Sequence, residues 1–335
     1  MSVVFYGEYG MKPDTYPALA TTISLLPTTY LEDLNLNVPS PSIHIPKLSE
    51  VVRRLSPCFE QLSTWSPLSD AAWEHLASLP KLEWLRVSDT PCTDISKSIR
   101  YETAFPALLR MEIKASSVHQ YWSFLFSLLK SSPIQEVTVE TGRRIQGADV
   151  PGQVITAILE AELQRSVKDL SFSGSDPADL TSISYLGRFS SLNKLRWTTQ
   201  CQRLQQRVSL TDSDVEQLAS CLPQLVTLWL GHSSCKSNHH NTTIKSLISF
   251  STHCPSLDEL CFPCDLTNTP EDVKTEWGKP DLRLEIRSPC KLRFLAFVWI
   301  TMPPPDDIEA SRIVTSALDH LFPVLESSPA ETRAV

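Results

Sequence analysis

The chain has 335 residues, is 41% hydrophobic and carries a formal net charge of −8. The apolar content is ample for a folded protein, while the acidic balance leaves no general basic surface to neutralise a phosphate backbone, so nucleic acid is not an expected partner. No run approaches the roughly 18 uninterrupted apolar residues of a membrane span, and no basic start leads into an apolar stretch as in a secretory signal, so a cytoplasmic or nuclear protein is expected, with no membrane partner.

Along the chain one six-residue phrase recurs: apolar, two variable residues, apolar, one variable residue, apolar. It opens at Leu31 with Leu34 and Leu36, then at Phe59 with Leu62 and a polar Thr64, then at Leu82 with Leu85 and Val87. It returns at Leu108, Ile134, Val167, Leu192, Leu225, Leu257 and Leu292. The last apolar pair of each phrase alternates with polar neighbours, as a half-buried strand requires. Proline stands just before several phrases, at Pro80, Pro106, Pro133, Pro223 and Pro255. It cannot continue a preceding helix, so it marks a helix-to-strand corner.

Between phrases the apolar period lengthens to that of a helix over residues 68–79, 118–129 and 211–222. In the last of these, Thr211 with Asp214 three residues on has the form of a capping box. Trp73, Trp122 and Trp197 fall on inward positions and are expected in the core. The widest departures from the phrase, near 141–152, 199–210, 231–242 and 264–290, read as loops inserted into single units. Strand-plus-helix units repeated at a spacing of some tens of residues predict a solenoid: an α/β fold with a parallel concave sheet and helices on the convex side. About ten such units make residues 1–335 one domain.

These units resemble leucine-rich repeats, and the resemblance covers about residues 15–325. Their length, their helix and phrasing such as Leu210-Thr-Asp-Ser-Asp-Val-Glu-Gln-Leu-Ala219 and Phe250-Ser-Thr-His-Cys-Pro-Ser-Leu-Asp-Glu-Leu260 are similar to the repeats of F-box/leucine-rich-repeat proteins, above all the expanded fungal family. The resemblance implies a horseshoe whose concave face holds a protein substrate for a ubiquitin ligase. It also implies a Skp-type adaptor as partner where an F-box is present. Met1–Gly10 does not read as an F-box, so that partner is expected only if an F-box lies outside this chain. The alternative is a stand-alone repeat scaffold without a ubiquitin role.

Candidate chemistry is sparse. Glycine numbers only 9, with no phosphate-cradling loop, and no nucleophile or metalloprotease signature occurs. No enzyme activity, cofactor or metal is expected. Six of the 9 cysteines fall between Cys201 and Cys264, beside several histidines, and Cys261-Phe-Pro-Cys264 is a C-x₂-C. Against a zinc site, the repeat register itself explains Cys58, Cys221, Cys254 and Cys290 as small buried residues at the corner before a strand.

The strand face offers more. Third, fifth and seventh phrase positions point away from the helices. Most are polar, but Trp65, Trp84 and Trp229 are not, and Arg86, Arg110, Lys194 and Arg196 stand near them in register. Trp and Arg anchor interfaces more often than other residues, so these seven are the candidate binding residues.

Overall fold

The computed structural model describes residues 2–6, 21–22, 25, 28–37, 46–64, 68–88, 103–115, 121–141, 149–174, 185–199, 210–232, 242–267, 292–301, 303 and 306–321. The chain divides into two compact units, Met1–Val167 and Lys168–Val335.

In the first unit six strands follow one another in chain order: β1 Ser2–Tyr6, β2 Asp33–Asn37, β3 Gln61–Thr64, β4 Trp84–Ser88, β5 Arg110–Ala115 and β6 Glu136–Thr141. Each pairs in parallel with the next. The registers join identical phrase positions, Leu34 to Leu62, Leu62 to Leu85, Leu85 to Met111 and Met111 to Val137. Strand β1 was not legible as a repeat, because its Ser-Val-Val-Phe-Tyr lacks the leading leucine. It nevertheless sets Val3 and Phe5 beside Leu34 and Leu36.

Helices α1 Pro46–Val52, α2 Asp70–Ser78, α3 Tyr121–Leu128 and α4 Val150–Glu160 supply the described crossovers, α1 packing on α2 and α3 on α4. Helix α4 trims the inserted loop expected at 141–152 at its ends, and residues 142–148 lie outside the described residues. Thr141 still belongs to β6, and 150–152 are the first turn of α4. The Gly/Pro-rich wording misled: Pro151 sits where a helix tolerates proline, and Asp149 caps the turn by accepting a 2.7 Å bond from the Gly152 N–H.

The second unit repeats the plan with β7 Asp169–Ser173, β8 Lys194–Thr199, β9 Thr227–His232, β10 Glu259–Asp265 and β11 Phe294–Thr301, parallel and in chain order. Helices α5 Asp212–Cys221 and α6 Ile244–His253 pack together, and α7 Ile308–Leu321 packs on α6. The expected loops at 199–210, 231–242 and 264–290 begin later than the wording suggests: Thr199 ends β8, Gly231 and His232 end β9, and Cys264 and Asp265 end β10. Thr242 lies beside α6, its hydroxyl donating to the Pro263 carbonyl at 2.7 Å. Between Phe262 and Pro263 the β10–β11 register slips by one residue of β11. That bulge carries β10 past a proline that would otherwise break the ladder.

Two apolar columns hold each unit. All ten leading phrase residues, from Leu31 to Leu292, are fully buried. So are the second-column residues Leu34, Leu62, Leu85, Met111 and Val137 in the first unit, and Leu170, Leu195, Leu228 and Leu260 in the second. Leu295 departs, being only half-buried, because among the described residues β11 pairs with β10 alone. Trp73, Trp122 and Trp197 are buried as expected; Trp73 meets Phe105 edge-on at 6.5 Å, and Trp197 lies 5.3 Å from Phe172. Each such burial contributes roughly 1.5–3 kcal/mol.

The polar half of the repeat is equally regular. The carbonyl of the second phrase residue accepts two N–H groups from the next unit. Glu32 receives Glu60 at 2.8 Å and Gln61 at 3.0 Å, and Glu60 receives Glu83 and Trp84 at 2.8 and 3.1 Å. Glu83, Leu109, Lys168, Asn193, Val226 and Asp258 do the same for their successors. Among the described residues this fork fixes the register at the first residue of β3 to β6 and of β8 to β11.

Side chains join the helices. Thr211 and Asp214 form the expected capping box on α5, with Asp214 in place of the usual Glu. Cys254 is buried because its thiol reaches the Ala219 and Leu222 carbonyls at the end of α5, both at 3.6 Å. Cys221 is half-buried, and Cys58 is exposed, contrary to the buried place expected for it. Cys290 lies outside the described residues.

Candidate functional site

Because strand side chains alternate, the phrase positions between the apolar columns form a second face on each sheet. In the first unit the pairings line up Asp33, Gln61, Trp84, Arg110 and Glu136 in one row. Asn35, Ser63, Arg86, Glu112 and Thr138 form the next, and Ser88, Lys114 and Glu140 a third.

Three bases and three acids interlock there. Glu112 takes Arg110 at 2.8 Å and Arg86 at 3.3 Å; Glu136 takes Arg110 at 3.2 Å; Glu140 takes Lys114 at 3.4 Å and Arg86 at 3.8 Å. The Arg110 guanidinium also lies 5.8 Å from the centre of the half-buried Trp84 ring. The structure thus brings Trp84, Arg86 and Arg110 together as the sequence suggested. It also adds Glu112, Glu136 and Glu140, which the search for binding residues passed over. Their signal was present: the same phrase position in consecutive units is a neighbour in space. Trp65 lies outside the described residues.

Beside this network several polar atoms are buried without a hydrogen bond: Asp33 Oδ1, Asn35 Oδ1, Ser63 Oγ and Trp84 Nε1. Burying polar groups in this state carries a cost.

In the second unit one row runs Asp169, Lys194, Thr227, Glu259, Phe294, and the next Ser171, Arg196, Trp229, Cys261, Ala296. Arg196 and Trp229 are direct register partners. Trp229 stacks on Phe294 two strands away, ring centres 6.5 Å apart and planes 12° from parallel. The stack covers the intervening strand, leaving Cys261 only 8% exposed, whereas its place in the phrase promised exposure. Phe294 itself is 48% exposed. Among the described residues neither Lys194 nor Arg196 forms an ion pair. At the start of β11, Arg293 grips Asp258 through Nε and Nη2, and these bonds hold the Asp258 carboxyl below the usual range.

Cys261 and Cys264 do not form a chelate. Three residues apart on one strand, they point to opposite faces. Burial pushes the Cys261 thiol up to about 11. It pushes Cys264 higher still, with Asp212 and Asp265 adding repulsion against the thiolate. Among the described residues no three His, Cys, Asp or Glu side chains converge as a metal site would need, and no helix is long and apolar enough to cross a membrane. Cys201, Cys235, His239 and His240, which belong to the Cys/His-rich stretch 201–264, lie outside the described residues.

The described architecture is that of an α/β protein with parallel strands and helical crossovers. No protein-family model and no curated protein matches the chain.

Proposed function

We propose that this chain is a leucine-rich-repeat protein that binds other proteins through the sheet faces opposite its buried columns. The observation that supports this most is the pair of aromatic clusters, Trp84 under Arg110 and Trp229 on Phe294. They sit at positions the repeat frame leaves open to any residue, and aromatic groups with neighbouring cations are what interfaces use as anchors. By its resemblance to F-box repeats, the chain is the substrate-holding part of a ubiquitin-ligase adaptor. By the same resemblance a Skp-type adaptor is a partner only if an F-box lies outside this chain.

The test is affinity purification of the wild type beside a face variant, Trp84→Ser with Trp229→Ser, followed by mass spectrometry. Proteins held by the wild type and lost on the folded variant are the expected result. A Skp-type adaptor among the wild-type partners supports the ligase role, and its absence beside other face-dependent partners supports the scaffold role. An identical set on both proteins sinks the binding-face reading.

A further inference from the structure

The two faces carry similar residues in opposite electrostatic states. In the first unit Arg86, Arg110 and Lys114 are matched by Glu112, Glu136 and Glu140 within 4 Å, so their charge is spent inside the molecule. An acidic partner there would have to displace ion pairs already made. In the second unit Lys194 is exposed and Arg196 half-buried, and among the described residues neither is neutralised by an ion pair. Beside them the Trp229–Phe294 stack presents apolar surface that the core does not use.

We propose that this second face, around Lys194, Arg196, Trp229 and Phe294, docks an acidic segment of a partner protein that also carries an aromatic or aliphatic residue. The proposal rests on the protein-binding reading above and gives it a place and a chemistry. The carboxylates of the segment meet Lys194 and Arg196 on β8, and its apolar residue lies on the stack over β10. Two strand spacings separate these points, about 10 Å, which an extended chain crosses in about three residues. Glu259 orients the segment. It stands on β10 in the row of Lys194 and Phe294, where a partner carboxylate over the stack would be repelled. Acid and apolar group must therefore be offset rather than adjacent. Arginine also favours carboxylate through its planar fork.

The probe is a fluorescein-labelled peptide, Glu-Glu-Glu-Ser-Ser-Phe-Leu, titrated with the full chain by anisotropy. Two competitors accompany it: the same peptide with Gln for each Glu, and a deoxythymidine oligonucleotide. Lys194→Gln with Arg196→Gln is expected to weaken the acidic peptide by about tenfold or more, as is Phe294→Ser, and the Gln peptide to bind as weakly. Arg86→Gln with Arg110→Gln is expected to change it by less than about twofold, within the noise of one lost rim contact. Circular dichroism confirms folding; should the double variant not fold, Lys194→Gln alone, at an exposed position, replaces it with a smaller loss expected.

Indifference of the peptide to these changes overturns the proposal. Equal competition by the oligonucleotide does so too, in favour of a general anion site. A peptide that does not bind at all also overturns it, and display of random peptides then separates the two claims. Selected peptides whose capture is lost on Trp84→Ser leave the protein-binding reading standing with its surface in the first unit. A selection that enriches nothing removes both.

Discussion

Asp212 holds Thr243. The first residue of α5 accepts the Thr243 N–H on Oδ1 and the Thr243 hydroxyl on Oδ2, both at 2.7 Å, and takes the Ser246 hydroxyl at 2.6 Å. One carboxylate therefore closes the N-terminal turn of the next helix, where free N–H groups and the helix dipole both favour negative charge. In the first turn of α5, Asp212 reads from the sequence alone as a charge that serves its own helix. Its partners are 31 and 34 residues away, beyond any local pattern.

Asp212→Ala leaves three donors without an acceptor, one of them on the fully buried Ser246. A loss of about 1–3 kcal/mol is expected in a urea titration, with faster hydrogen exchange in the first turn of α6. Asp212→Asn keeps one acceptor oxygen and should lose less. Equal midpoints for wild type and Asp212→Ala would mean that water replaces the carboxylate at no cost.

Leu228→Ala is expected to cost about 2–5 kcal/mol, the range for a fully buried leucine with the cavity it leaves. Leu295→Ala, at the same phrase position but half-buried, should cost clearly less. If both shift the denaturant midpoint equally, the second column does not weaken at β11 as described.

The Asp258–Arg293 pair sets a direction for pH dependence. The folded-state carboxyl is depressed relative to the unfolded chain, so its contribution is complete above the ordinary Asp range, near pH 4. It is lost as pH falls through the folded-state value. Arg293 is 71% exposed, so the contribution is that of a surface pair, about 1 kcal/mol or less. Arg293→Gln should lower stability at neutral pH by about that amount, leave stability at the acid end nearly unchanged, and so flatten this part of the stability–pH curve. A curve that keeps its shape in the variant refutes the assignment.

Thiol labelling separates the cysteines. Cys58 is exposed, whereas burial holds Cys261 and Cys264 as thiols. Because the thiolate is the reactive form, iodoacetamide at neutral pH should modify Cys58 well before either. Peptide mapping by mass spectrometry gives the order, and early labelling of Cys261 would show that the Trp229–Phe294 stack does not cover it.

Much of the frame was written in the phrase. Its leading residues are all buried, and its positions pair with one another because identical places in successive units meet in space. Where reading failed, composition competed with a local physical device. Asp149 turned a Gly/Pro stretch into a helix start, and a one-residue slip let β10 continue through Pro263. The binding face was legible as a set of residues but not as a charge state. Arg86 and Arg110 looked available until their neighbours across the strands were counted with them.

The forked hydrogen bonds at the strand starts bear on how such a chain can change. Each of β3 to β6 and β8 to β11 takes its alignment from a single carbonyl in the preceding unit, so alignment is counted from that hook and not from the number of residues between hooks. A spacing of 23 residues, as from Phe59 to Leu82 in the first unit, and one of 35, as from Leu257 to Leu292 in the second, each keep the phrase positions of their own unit in register. Lengthening or shortening a connection adds or removes surface without sliding the rows past one another. The molecule is in this sense modular at its corners: novelty accumulates between hooks, while the side chains that face outward keep their addresses.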